Sequence, residues 1–89
     1  MLTFIAVVHK DPDSAYGLSF PDLPGCYSGA DEDTDLLANA REALDLWFED
    51  QPLVEPSRIG RVRELADEDI KAGAYLLAIP YEPASRRAA

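Results

Sequence analysis

The amino-terminal part of the chain has apolar residues in both alternating sets of positions. Because successive residues of a strand face opposite sides of a sheet, the run from residue 2 to residue 8 divides into two sets. They are Leu2, Phe4, Ala6 and Val8 on one side, and Ile5 and Val7 on the other. This pattern predicts a strand covered on both faces, or an interior strand at a contact between copies of the chain.

A second apolar alternation ends at a corner that contains two prolines. The strand predicted over Tyr16–Phe20 stops at Pro21, which cannot donate a hydrogen bond to a sheet. After the second proline, Gly25 can turn the chain because it tolerates positive φ, and Cys26–Gly29 is predicted as the next strand. With a turn at Lys10–Ser14, the sequence predicts three consecutive antiparallel strands.

A long helix follows these strands. Its apolar residues recur at steps of three and four and form one stripe. The stripe consists of Leu36, Leu37, Ala40, Ala43, Leu44, Trp47 and Phe48. We predict that Thr34, or alternatively Asp33, caps the start of the helix, and that Pro52 ends it.

The last third of the chain predicts two short helical segments and a strand. Ser57 is placed to cap a segment that runs through Leu65, and a further turn ends at Gly73. The final strand is predicted over Ala74–Tyr81. The tail, residues 84–89, is small and basic, and we expect it to pack against nothing.

The order of these elements predicts the fold class. It indicates an α+β domain in the order β-β-β-α-β, with one main helix packed on one face of a mainly antiparallel sheet. The final strand must pair beside the first, because the three consecutive strands occupy the other edge. We assign residues 1–83 to one domain and residues 84–89 to the tail.

The chain is acidic, since 17 Asp and Glu residues oppose 8 Lys and Arg residues for a net charge of −9. Nucleic-acid binding depends on neutralising phosphates, so this balance argues against it. An acidic surface instead steers a basic protein partner; the alternative is that the charge serves solubility alone. No apolar run approaches the roughly 20 residues of a membrane span. A single cysteine fits a reducing compartment, so we expect a cytoplasmic protein.

The residue types that carry chemistry do not form a catalytic or metal-binding set. The acidic residues in 31–35, with Glu42, match part of a calcium-loop spacing, but Leu36 replaces the glycine that such a loop needs. An acidic helix start is the better interpretation. His9 has no second ligand near it, and Cys26 has no base close in sequence. We therefore expect no catalytic residue, no metal and no cofactor.

Three segments, taken together, resemble one known family. They are Tyr16–Cys26, Ala38–Leu44 and Leu76–Tyr81. Their order and spacing are similar to those of the HicB-like antitoxins, specifically the amino-terminal HicB domain of type II HicAB toxin–antitoxin systems. The resemblance covers residues 2–83 and implies a partial, degraded ribonuclease H core without catalytic duty. The first strand agrees, because it carries none of the carboxylates that a two-metal ribonuclease H site needs.

The resemblance implies an antitoxin that binds and neutralises a small basic HicA-like toxin, which cleaves messenger RNA with a histidine. Many members also carry a carboxy-terminal DNA-binding module, whereas this chain stops at Ala89, so we expect no direct nucleic-acid binding by it. The alternatives are an oligomerisation module, or a small enzyme or ligand-binding domain with a cleft near Asp22 and Cys26. Because one helix cannot easily cover both faces of the first strand, we also predict a homo-oligomer, either a dimer or a tetramer.

For the partner-binding surface we predict carboxylates near the two-proline corner and the helix start, with apolar anchors beside them. The residues are Asp22, Leu23, Tyr27, Asp31, Glu32 and Asp33. The rigid corner would present Leu23 at little entropic cost, and Tyr27 offers an apolar ring with a polar tip. The competing interpretation is that Leu23 packs on the domain's own core and that the acidic residues only favour the helix start.

Overall fold

The chain folds into a four-stranded antiparallel sheet with helices on both faces, in a computed structural model that describes residues 1–87. The strands are β1 (Leu2–Lys10), β2 (Tyr16–Ser19), β3 (Tyr27–Ala30) and β4 (Tyr75–Tyr81). The helices are α1 (Leu36–Asp50), α2 (Ile59–Leu65) and α3 (Asp67–Lys71), with 3-10 helices at Asp33–Asp35 and Ala84–Arg86. The predicted α+β class with an antiparallel sheet is confirmed.

The sheet has the strand order β3-β2-β1-β4, so β3 and β4 are its edges. Strand β4 pairs with β1, as the sequence predicts. The strand boundaries differ from the prediction by one or two residues, and hydrogen bonds explain two of these differences. Cys26 lies outside β3 because its N–H donates to Leu23 O at 2.9 Å and closes the corner. Ala74 lies outside β4 because its N–H donates to Asp69 O at 2.9 Å, just after Gly73 turns the chain at φ +107°.

The main core lies between α1 and one face of the sheet. Phe4 of β1 is fully buried there, and Leu44 of α1 is fully buried opposite the sheet. The other buried members are Ala6, Val8, Leu18, Phe20, Leu23, Cys26, Leu36, Ala40, Ile79 and Tyr81. The predicted helix stripe is therefore correct except at Leu37, which is 39% exposed.

A smaller core covers the opposite face of β1. Val7 is buried there with Ala66 and Ala74, and Ile70 and Leu76 pack beside them. The segment that contains α2 and α3 thus covers, within a single chain, the face that the sequence left without a partner. Our reason for expecting a homo-oligomer is therefore wrong, while the oligomeric state itself stays a prediction.

The predicted helix caps are wrong. Thr34 lies inside the 3-10 helix that precedes α1, and α1 itself begins at Leu36 without a side-chain cap. The 3-10 helix provides a partner for a backbone N–H at this end in place of a side-chain cap, because Asp35 N–H donates to Glu32 O at 3.1 Å. Helix α2 also begins without a side-chain cap after Arg58, since Ser57 makes a different contact that is described below.

Candidate partner-binding surface

The two-proline corner is a pair of consecutive turns closed by backbone hydrogen bonds. Leu23 N–H donates to Phe20 O at 2.9 Å, and Cys26 N–H then donates to Leu23 O at 2.9 Å. Gly25 has φ +99°, a conformation that side chains rarely adopt, and a Cβ there would lie 3.5 Å from the Trp47 ring. The corner is therefore held tightly against α1.

Leu23 is not an exposed anchor. Its side chain is only 3% exposed and belongs to the main core. The two turns fold the corner back over the sheet, so the competing interpretation, that Leu23 packs on the domain's own core, is correct.

Asp22 has a contact within the chain. Its Oδ2 accepts a hydrogen bond of 2.7 Å from the backbone N–H of Ser57. The carboxylate is half-buried and tethers the connection between α1 and α2 to the corner. Such a charge-assisted bond to a backbone N–H is stronger than a neutral one, so Asp22 holds this connection in place.

The remaining predicted residues are exposed, and they lie on the edge strand β3 or directly after its end. Tyr27 is the first residue of β3 and is 71% exposed. Asp31, Glu32 and Asp33 follow the end of this strand, are all exposed, and form no ion pair with the described part of the chain. A four-residue strand spans about 10 Å. Thus the structure brings Tyr27 and the acidic cluster to opposite ends of the same edge.

A groove of about 540 Å³ runs between this edge and α1. Strand-side residues 25–29 form one wall, and Asn39, Glu42, Ala43, Leu46 and Trp47 form the other. Leu46 is 59% exposed although it is a large apolar residue. The residue pattern did not predict this groove, although Leu46 carried a signal, because it is an apolar residue of the helix that lies off the buried stripe.

Polar contacts tie the groove walls together at one end. Asn39 donates from Nδ2 to Gly29 O at 2.8 Å, and Ser28 Oγ donates to Asn39 O at 3.2 Å. Glu42 is the one charged residue among those that line the groove. The walls are therefore fixed relative to each other, and the groove is open to a basic side chain.

Cys26 does not have the surroundings of a catalytic nucleophile. Its side chain is buried, and its Sγ lies 3.8 Å from Ala43 O. Burial raises the pKa of the thiol above its ordinary value, so the reactive thiolate is disfavoured. Within residues 1–87, no group of three or more His, Cys, Asp or Glu side chains is arranged to hold a metal ion.

A second polar cluster joins the end of the chain to α1. Tyr81 donates from its hydroxyl to Asp45 Oδ1 at 2.7 Å, and Arg87 donates from Nη2 to the same oxygen at 2.7 Å. Arg87 also donates from Nε to Glu82 O at 3.0 Å. The prediction that the tail packs against nothing is therefore wrong for Arg87, while residues 88–89 lie outside the described part.

The cluster shifts the pKa values of its members. Burial alone would raise the pKa of Asp45, but the hydrogen bonds from Arg87 and Tyr81 lower it below its ordinary value. Burial, together with the hydrogen bond to Asp45, raises the pKa of Tyr81 to about 12. The Asp45 carboxylate is therefore held in its charged form and Tyr81 in its neutral form.

Comparison with known proteins identifies the family. A family model described as HicB_like antitoxin of bacterial toxin-antitoxin system matches residues 4–80. The chain belongs to the HicB-like antitoxin family. This membership confirms the resemblance that the three sequence segments indicated, and an antitoxin family indicates a non-enzymatic role.

Relatives of known sequence or structure agree. The chain is 35% identical over 54 residues to a UPF0150 protein of Archaeoglobus fulgidus, which covers 61% of this chain and 78% of that protein. It superposes with a TM-score of 0.75 and 24% identity on a chain of the HicA3 and HicB3 toxin-antitoxin complex, covering 92% of this chain and 100% of the other. It superposes with a TM-score of 0.69 and 28% identity on the Burkholderia pseudomallei antitoxin HicB, covering 98% of this chain and 67% of that antitoxin.

None of the helices within residues 1–87 combines the length and the apolar character that crossing a membrane requires.

Proposed function

We propose that this chain is an antitoxin that binds and neutralises a small basic HicA-like toxin, an enzyme that cleaves messenger RNA. The family match over residues 4–80 carries the proposal. The net charge of −9 supports a basic partner. A structural relative was solved as part of a HicA3 and HicB3 complex, which supports a partner of the HicA class.

In this proposal the exposed edge beside β3 is the surface that meets the toxin. Tyr27 supplies an apolar ring, and Asp31, Glu32 and Asp33 supply negative charge. Exposed charges of this kind mainly raise the association rate and are weakened by salt. Neutralisation follows when the bound antitoxin covers the toxin's catalytic histidine and so excludes RNA. Asp22 contributes by holding the adjacent loop through Ser57.

The proposal is tested by expressing the chain with the small basic protein encoded beside it. The basic protein alone should arrest growth, and the chain should restore it. Growth arrest that persists when the chain is expressed together with the basic protein would contradict the proposal.

A charge reversal tests the predicted surface. Changing Asp31 and Asp33 to Lys should slow association with the toxin by about tenfold, because charge steering changes association rates by 10-fold or more, while thermal stability stays nearly unchanged. Changing Glu49 and Asp50 to Lys makes the same change in net charge at the other end of α1 and is the matched control. Equal association rates for the two variants would show that this edge is not the interface.

We infer also that the chain is not itself an enzyme, acts in the cytoplasm and does not bind nucleic acid directly. Residues 1–83 would form the toxin-binding domain, and residues 84–89 would begin a linker. The likeness to a partial ribonuclease H core stays a prediction. So does self-association as a dimer or tetramer, which sedimentation at high micromolar concentration would contradict if it gave a monomer.

A further inference from the structure

Strand β3 presents unpaired backbone groups on its outer edge. The hydrogen bond from Phe20 N–H to Cys26 O sets the phase of the β2–β3 ladder. In an antiparallel pair, residues alternate between pointing their backbone groups at the partner strand and away from it. Tyr27 and Gly29, opposite Ser19 and Gly17, therefore point their backbone groups outward.

One of these outward groups is already used, and that contact confirms the phase. Gly29 O accepts the hydrogen bond from Asn39 Nδ2. The N–H and carbonyl of Tyr27 and the N–H of Gly29 have no partner within residues 1–87. Such an edge is a template for another strand.

The groove beside this edge has room for an added strand. It lies between β3 and α1, so a strand paired with β3 would have one face against Ala43, Leu46 and Trp47. Extended peptides are bound in this way when main-chain hydrogen bonds to a sheet edge give affinity and neighbouring pockets select alternate side chains. The exposed Leu46 and half-buried Trp47 offer the apolar contact.

The charge of the groove favours a basic occupant over a second copy of this chain. Glu42 is exposed, is the one charged lining residue, and forms no ion pair with the described residues. The acidic cluster Asp31–Asp33 continues from the end of the strand. Two copies of a chain with net charge −9 would bring like charges together, which costs association free energy.

We propose that an extended segment of the basic partner adds to the outer edge of β3 as a further strand and lies in the groove against α1. Its apolar side chains contact Leu46 and Trp47, and a Lys or Arg side chain pairs with Glu42. The identity of the partner as a toxin rests on the proposed function, whereas the mode of binding rests on the edge and the groove.

The backbone contribution is tested by a pair of variants at one position. Tyr27→Val removes the ring and keeps the outward N–H, whereas Tyr27→Pro removes both. Proline is tolerated on an edge strand where the N–H faces solvent, so both variants should fold. We expect Tyr27→Pro to weaken toxin binding at least about tenfold more than Tyr27→Val, since a tenfold change corresponds to about the free energy of one hydrogen bond.

The groove wall is tested by a second pair that does not depend on proline. Glu42→Lys should weaken binding strongly, whereas Glu49→Lys, with the same change in net charge outside the groove, should change it little. If Tyr27→Pro fails to fold, this pair decides. Toxin binding that is equal for Glu42→Lys and Glu49→Lys, and equal for the two Tyr27 variants, would overturn the strand addition while the antitoxin function stands.

A peptide probe separates this inference from the proposed function. A capped six-residue peptide of alternating Val and Lys should shift the amide resonances of residues 27–30 and 43–47, and the shifts should disappear in Glu42→Lys. If the toxin does not bind but the peptide shifts these resonances, the strand addition in the groove is supported and the proposed function fails. If the toxin does not bind and the peptide causes no shifts, the strand addition and the proposed function are both overturned. Dimers that dissociate on Tyr27→Pro would show that a second copy is the occupant and would overturn the inference.

Discussion

Two glycines that face each other across β2 and β3 should respond in opposite ways to the same substitution. Gly17 and Gly29 are directly opposite, and neither has positive φ. A Cβ added to Gly29 would lie 2.6 Å from the carbonyl oxygen of Tyr16, which is closer than real contacts allow. A Cβ added to Gly17 would have nothing within 4 Å. The fold therefore requires glycine at one position and not at the other.

The expected magnitudes follow from these two environments. Gly17→Ala should stabilise the domain by about 0.4–1 kcal/mol, because alanine restricts the unfolded chain and fits the native conformation without strain. Gly29→Ala should destabilise it by about 1–3 kcal/mol, the usual cost of inserting an atom where none fits. The two variants should thus differ by about 1.4–4 kcal/mol.

Urea unfolding followed by the fluorescence of Trp47 measures both changes. In both variants the free energy of unfolding should fall with urea concentration at the same slope as in the unaltered protein, so that the midpoints report stability directly. If both variants shift the midpoint in the same direction, or if Gly29→Ala leaves it unchanged, the described pairing of β2 and β3 is wrong. The inference of a free β3 edge would then lose its basis.

Three further predictions concern the core, the polar cluster and catalysis. Leu44→Ala should reduce the free energy of unfolding by about 2–5 kcal/mol, because Leu44 is fully buried; a loss below about 1 kcal/mol in urea unfolding would contradict the packing of α1. The lowered pKa of Asp45 means that its stabilising contribution is complete above the ordinary value of 3.8 and is lost as the pH falls through the lowered pKa. Replacing Arg87 by Gln should therefore reduce the stability that is lost as the pH falls through the pKa of Asp45. If plots of unfolding free energy against pH coincide for Arg87→Gln and the unaltered protein, the cluster does not form. The purified chain should cleave no RNA with Mg²⁺ or Mn²⁺, and metal-dependent cleavage that disappears on changing Asp11 or Asp22 would contradict a non-enzymatic role.

The sequence predicted the elements that depend on local pattern. The apolar residues alternate in residues 2–8 and recur at steps of three and four around Leu44. Because strands and helices have different periods, these two patterns predicted a strand and a helix. The strand boundaries at Cys26 and Ala74 were missed because backbone hydrogen bonds in turns, which leave no apolar pattern, end those strands early. The cover over Val7 was missed because Ala66, Ile70 and Ala74, which supply it, lie in and around a five-residue helix whose apolar pattern is weak.

The candidate surface could be predicted only where exposure follows from residue type. Asp31, Glu32 and Asp33 are exposed as expected for a run of charges. Leu23 was misplaced because the direction of a side chain in a tight turn depends on hydrogen bonds that the sequence does not reveal. The groove requires the position of α1 relative to the edge of β3, which is a tertiary property.

The most direct test of the antitoxin function is a titration of the toxin's messenger RNA cleavage with this chain. The small basic protein encoded beside it is mixed with RNA, and the chain is added in increasing amounts. We expect cleavage to fall in proportion to the added chain and to reach zero at a fixed molar ratio. When Asp31 and Asp33 are changed to Lys, inhibition should set in about tenfold more slowly. Cleavage that continues undiminished at a large excess of the unaltered chain would contradict the function proposed here.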